Sequence, residues 1–216
     1  LTGVMGVALI ALAVATAQPA TTAPILGADG EALPGSIAEL TEVSIGGHAQ
    51  SLMIRGRSVE NPVLLYLAGG PGGSDIGALR LDTGLEQDFV VWEQRGAGKS
   101  YAALDPVETL TLDQMVADTI EVTNELRARF AEEKIYLVGN SWGATLGVLA
   151  AQQRPELFHA FVGAGQMVSQ RETDIMFYAD TLAWAEETGN AALVDTLRGN
   201  GPPPYADRLD YETALA

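Results

Sequence analysis

From Ser36 onward, short apolar runs alternate with amphipathic stretches. Two strand-like runs, about Glu39 to Ile45 and His48 to Arg55, flank Gly46-Gly47 and predict a β-hairpin with a tight turn. Three continuous apolar runs follow: VLLYL at 63–67, FVVW at 89–92 and IYLV at 135–138. Runs of that length and composition suit strands covered on both faces. Phe161-Val162 marks one strand more. Thr111, with Gln114 three residues on, reads as a capping-box start. Behind it Leu112, Met115, Val116, Ile120, Leu126 and Phe130 recur at helical spacing. Another helix is expected from the Ser141 region to about Gln153. Strands alternating with helices predict an α/β fold on a mostly parallel sheet. Beyond Gln170 only helices are expected: Asp174 to Thr188, stopped by Gly189, and Ala191 to Arg198, stopped by Gly199. Pro202-Pro203-Pro204 then precedes a last helical stretch.

The segment ahead of the sheet is different in kind. Residues 1–17 are apolar, and no charge appears before Asp29. The run is short for a membrane span, which needs about 20 residues. It matches the apolar part of a signal peptide, with Ala15-Thr16-Ala17 as a cleavage pattern before Gln18. A retained membrane anchor and a buried helix are the alternatives. Export to a periplasm, a cell surface or the medium is the expectation. Residues 18–35, rich in Pro, Ala, Thr and Gly, read as a linker. The expected organisation is therefore 1–17 leader or anchor, 18–35 linker, 36–168 α/β core and 169–216 helical segment. A first residue Leu1 and a last residue Ala216 in a helical-looking stretch suggest a fragment clipped on both sides.

Composition narrows the function classes. With 28 acidic and 12 basic side chains, the net charge is -16. No cluster of Lys and Arg offers a phosphate-binding surface, so a nucleic-acid partner is not expected. A hydrophobic fraction of 47% supports a packed core over disorder. The absence of Cys removes disulfides, thiolate catalysis and thiolate metal sites. His48 and His159 are the only imidazoles.

The chemistry concentrates in glycine-bearing loops after the strands. Gly139-Asn140-Ser141-Trp142-Gly143 is G-x-S-x-G between a buried strand and a helix, the setting of a nucleophile elbow. Side chains at Gly139 or Gly143 would clash in so tight a turn. The helix N-terminus behind Ser141 favours developing negative charge. An ordinary serine in a glycine-rich turn is the plainer alternative. The loop after VLLYL lacks the Lys-Ser/Thr ending of a P-loop and the G-x-G-x-x-G spacing. At the end of a strand its N–H groups can instead face an oxyanion, with Gly70 and Trp142 as donors and Gly69, Pro71 and Gly72 shaping the loop. A simple turn remains the alternative. In EQRGAGKS at 93–100, Glu93 and Arg95 are expected to form an ion pair that holds the loop around the elbow, with direct substrate contact as the alternative.

Together AGGPGGS at 68–74, EQRGAGKS and GNSWG resemble the prolyl aminopeptidase (proline iminopeptidase) branch of the α/β-hydrolases, where these segments read HGGPGG, DQRGxGxS and GxSxG. The likeness covers about Ser36 to Val168, with a helical cap starting near Ser169. Ala68 stands where the family has His, and Glu93 where it has Asp. The resemblance implies a serine hydrolase working through an acyl-enzyme on Ser141, with no metal or organic cofactor. It implies a small-molecule or short-peptide substrate: a peptide with N-terminal Pro, or a small ester, amide or lactone.

Hydrolysis at an elbow also needs a His base and an acid that orients it. Ser141, Glu156 and His159 satisfy the chain order of this fold. Glu156, however, follows the elbow helix, and about 13 residues at 1.5 Å each put it near 20 Å away. His159 opens the next strand at the edge opposite the one where such sites form. The resemblance places the triad Asp and His after the cap, so both are expected beyond Ala216 and the chain alone is expected to be inactive. Met176, Phe177, Tyr178, Leu182 and Trp184 either line a pocket or pack on the core. Glu186 and Glu187 are either a solvated face or partners for a substrate amine. A non-catalytic binding protein on the same scaffold is the reading from another class.

Overall fold

The computed structural model describes residues 21–80 and 89–206. The expected leader at 1–17 and the stretch 207–216 lie outside the described residues. The chain divides into two compact units, one through Gln166 and one from Met167.

Among the described residues, the first unit has six strands: β1 Ile37–Ile45, β2 His48–Gly56, β3 Leu64–Leu67, β4 Phe89–Trp92, β5 Ile135–Asn140 and β6 Phe158–Ala164. Their spatial order is β1-β2-β4-β3-β5-β6. The β1–β2 hairpin and the β2–β4 pair are antiparallel, while β4, β3, β5 and β6 run parallel. Gly46 and Gly47, with φ of 56° and 76°, close the hairpin opposite the Ile45–His48 pair. Two consecutive positive φ values are what the strand twist demands of a two-residue turn. The last strand is longer than Phe161-Val162 suggested. Its Ala, Gly and exposed positions carry little apolar pattern, and its partner among the described strands is β5 alone.

Two helices cover one face: α2 Leu112–Phe130 and α3 Trp142–Gln153; a single turn, α1 Ile76–Leu79, lies between β3 and β4. Met115, Val116, Val122 and Leu126 of α2 and Leu146 and Ala150 of α3 pack on Leu52, Ile54, Leu65, Leu67, Val90, Trp92 and Leu137. Met53, Val91, Phe89 and Ile76 form a smaller cluster, with Tyr66 packed against it. Thr111 caps α2 by accepting from the N–H of Gln114 at 3.2 Å. The side chain of Gln114 does not complete the box. It turns instead to Asp118.

Residues 21–35, expected as linker, are docked. Ile25 is buried, Leu33 N–H donates to the Ile25 carbonyl at 2.8 Å, and Arg55 donates to Thr22 and to the Ala23 carbonyl. An apolar Ile in a Pro-Ala-Thr stretch was the overlooked sign of anchoring.

The second unit pairs α4 Gln170–Glu187 with α5 Ala191–Asn200. The first of these starts four residues before the expected Asp174. Ser169 accepts from the N–H of Glu172, an S-x-x-E cap that fixes the helix start. Met176, Phe177 and Trp184 are exposed, and Glu186 pairs with Arg198. The packed-core alternative for those three apolar residues is thus not what the structure shows, and Glu186 has an ionic partner of its own.

Candidate active site

At the end of β5 the chain reverses into α3 within one residue. Ser141 has φ 52° and ψ -115°, a conformation an L-residue adopts only under constraint. The constraint is steric. A Cβ on Gly139 would lie 2.3 Å from the Gly143 carbonyl oxygen, and one on Gly143 would lie 2.0 Å from the Leu67 oxygen. Neither position admits a side chain, so α3 starts pressed against the ends of β5 and β3. Ser141 N–H donates to the Ala164 carbonyl at 2.8 Å, which ties the elbow to β6 as well.

The glycine loop reaches the serine. A Cβ on Gly69 would stand 3.6 Å from the Ser141 Cβ and 3.5 Å from the Asn140 carbonyl oxygen. Gly70 has φ 137° and Gly72 has φ 85°. Gly70, Pro71 and Gly72 are exposed, so the loop is open to an approaching carbonyl. Trp142, the residue after the serine, leans on the core and donates its indole N–H to Gln94 Oε1 at 3.1 Å. The other end of that amide donates to the Ala68 carbonyl at 3.0 Å.

The expected ion pair between Glu93 and Arg95 is not formed. Glu93 accepts from the Ser74 hydroxyl and from Lys99 N–H at 2.5 Å, so it ties the glycine loop to its own loop. Gly98 leaves the space for it, since a Cβ there would sit 2.1 Å from Glu93 Oε1. Arg95 turns the other way and makes a two-pronged pair with Asp118 of α2, at 2.8 and 3.1 Å. Asp118 also accepts from Gln50 and Gln114, and Arg95 donates to the Ala103 carbonyl at 2.9 Å. Residues two apart on an extended stretch would share a face, but the strand ends at Trp92 and the chain turns at Arg95, so the two side chains diverge. Arg95 therefore supports the hairpin and α2, not the glycine loop.

Sequence reasoning missed Asp118, Gln94 and Ser100. Asp118 had a signal: it interrupts the stripe of Met115, Thr119 and Val122 on the buried face of α2. Ser100 donates to the Glu93 carbonyl at 2.6 Å and accepts from Ser51 N–H at 2.9 Å. Near the elbow, the Tyr66 hydroxyl donates to Asp75 at 3.0 Å. Burial first, then the hydrogen bond to Asp75 and its charge, push this phenol up to about 12, against a lowering hydrogen bond with Asn140.

Neither histidine joins Ser141. His159 lies against the Tyr136 ring, 5.1 Å between centroids, at the start of β6. Five residues of strand separate Tyr136 from Ser141, about 16 Å at 3.3 Å each. His48 sits on β2, three strands across from β5, on the order of 14 Å at about 4.8 Å per strand. Glu156 is exposed and bound by Arg154, whose hydrogen bond holds its carboxyl below the usual range. Among the described residues, no three His, Asp or Glu side chains gather as a metal site. An apolar hollow lined by Ile37, Ile54, Val63, Val90 and Phe130 lies at the opposite edge of the sheet, remote from Ser141.

A strand–elbow–helix on a mostly parallel sheet, beside a glycine loop, defines the α/β-hydrolase class, and the family model for the alpha/beta hydrolase fold matches residues 62–203. The chain belongs to that family. It is 39% identical over 179 residues to a probable aminopeptidase of Bacillus subtilis (strain 168), covering 82% of this chain and 56% of that protein. It is 30% identical over 123 residues to a probable proline iminopeptidase of Leptolyngbya boryana, covering 56% of this chain and 36% of that one. The chain thus spans about half the length, or less, of these relatives. A proline iminopeptidase-related protein of Thermus thermophilus has the same fold, with a TM-score of 0.56 and 24% identity over 83% of this chain and 56% of the other.

Proposed function

We propose that the protein is a serine hydrolase of the aminopeptidase kind, acting on short peptides with an N-terminal proline, and that this chain supplies its nucleophile and oxyanion site. The observation that carries the reading is Ser141 at φ 52° on the strand-to-helix turn. Such strain is retained where the surrounding structure holds a reactive group in place. The names of the Bacillus and Leptolyngbya relatives support the peptidase choice.

In this mechanism the Ser141 hydroxyl attacks the carbonyl and forms an acyl-enzyme, losing its proton to a histidine. The N–H groups of Gly70 and Trp142 receive the oxyanion. The leaving amine takes the proton, and water then releases the acyl group. Since His48 and His159 lie far from Ser141, the base and the acid that orients it are assigned to parts of the protein that this chain does not contain. Residues 1–17 are assigned to export, as a cleaved leader or an anchor.

The test uses the complete protein with proline β-naphthylamide and p-nitrophenyl acetate. Proline release, abolished by Ser141→Ala, is the expected result. Ester cleavage without proline release would replace the peptidase by an esterase. No turnover on either, with Ser141 unreactive, would favour a binding protein. The 216-residue chain alone is expected to turn over neither substrate. The N-terminal residue of the mature protein, read from fractionated cells, tests export.

A further inference from the structure

One buried amide connects the two backbone segments that the mechanism requires to act together. Gln94 is 1% exposed, and its side chain spans from the Ala68 carbonyl to the Trp142 indole. Chemistry fixes how the amide faces, because an indole N–H only donates and a carbonyl only accepts. A glutamate could serve the indole but has no donor for Ala68. An asparagine is one methylene too short for both.

The segments it joins are those on either side of Ser141. Ala68 precedes Gly69, where an added Cβ would stand 3.6 Å from the Ser141 Cβ. Trp142 follows Ser141 directly and begins α3. Between Gly70 and Gly72 the loop is exposed and buries no side chain, so its place depends on what holds its ends. Ala68 contributes only a methyl group. On the polar side, Gln94 holds its carbonyl and Glu93 holds Ser74 at the far end.

We infer that Gln94 is a positioning residue that sets the spacing of the Gly70 and Trp142 N–H groups around the oxyanion. The inference rests on the assignment of Ser141 as nucleophile. Oxyanion donors work at about 2.7 to 3.1 Å, and a misplacement of about 1 Å costs on the order of a hundredfold in rate. A link that fixes both donors at once therefore acts on the transition state more than on substrate binding.

The experiment treats the complete protein with a fluorophosphonate. The Ser141 oxygen–phosphorus bond forms, fluoride leaves, and the serine proton passes to the enzyme's base. Peptide mapping should find the label on Ser141; its absence there overturns both the nucleophile assignment and this inference. With labelling established, Gln94→Met keeps the length and removes both hydrogen bonds. Gln94→Glu keeps the acceptor for Trp142 and removes the donor for Ala68. Each should lower kcat and the labelling rate at least about tenfold, with KM within about twofold and an unchanged fraction of folded protein. Should Gln94→Met fail to fold, Gln94→Glu carries the test. Labelling and kcat at the wild-type level in a folded variant overturn the positioning role alone. So does a loss of rate that only tracks the loss of folded protein.

Discussion

The loops after β4 and β5 leave the same edge of the sheet and are held by opposite means. The β5 loop is specified by exclusion. Gly139 and Gly143 admit no Cβ, and Ser141 takes the strained conformation that is left. The β4 loop is specified by attraction. Glu93, Gln94 and Arg95 are all buried, and each points to a different partner: Ser74, Trp142 and Asp118. Steric exclusion is local and tolerates no change of size. A polar network reaches across the fold and tolerates no loss of a partner. A serine held by the first kind of device can sit partly exposed, whereas the second kind must stay dry to be strong.

Breaking the network should cost the most. Asp118→Ala leaves Arg95 buried without its anion, and removing one member of such a pair costs about 3 to 5 kcal/mol. Urea unfolding of the variant measures it. Gly143→Ala attacks the other device. Its methyl would meet the Leu67 oxygen, and overpacking of this kind costs about 2 to 3 kcal/mol. Turnover of the complete protein should fall further than stability does. Ser141 sharpens the contrast, because glycine relieves the positive φ and alanine does not. Ser141→Gly should be more stable than Ser141→Ala by about 1 kcal/mol, while both are inactive. Equal stabilities would show that the elbow stores no strain.

The smallest effect belongs to the polar fringe of the elbow. The Tyr66 phenol is raised to about 12 from an ordinary 10.0, so its contribution is whole below pH 10 and disappears as pH climbs through 12. Across that window the wild type should lose stability relative to Tyr66→Phe. Solvent screening at this partly exposed site keeps the difference below about 1 kcal/mol. A pH-independent difference would remove the phenol from the network.

The two devices also differ in how far they could be read from sequence. Strand runs such as FVVW and the G-x-S-x-G turn are local patterns, and a steric rule needs only neighbouring residues. The hairpin glycines were legible for the same reason. The partner of Arg95 was not, since Asp118 lies 23 residues along the chain and on a helix. Glu93 was nearer in sequence and carried the right charge, so proximity suggested the wrong pair. The space that Gly46 leaves for the Arg95–Asp118 pair is similarly hidden: a Cβ there would stand 2.2 Å from Arg95 Nη2. Residues 21–35 differ from what composition suggests, because Pro and Thr imply slack where the buried Ile25 and the hydrogen bonds from Arg55 dock the chain.

That docking has a geometric consequence. Arg55, which donates to Thr22 and to the Ala23 carbonyl, pairs with Phe89 at the start of β4. This is the edge from which the parallel strands depart, and Ser141 stands at the edge where they arrive. A tether joined ahead of Thr21 would leave the molecule on the side away from the serine. On any surface that held the protein by such a tether, Ser141 would look outward, toward what diffuses past.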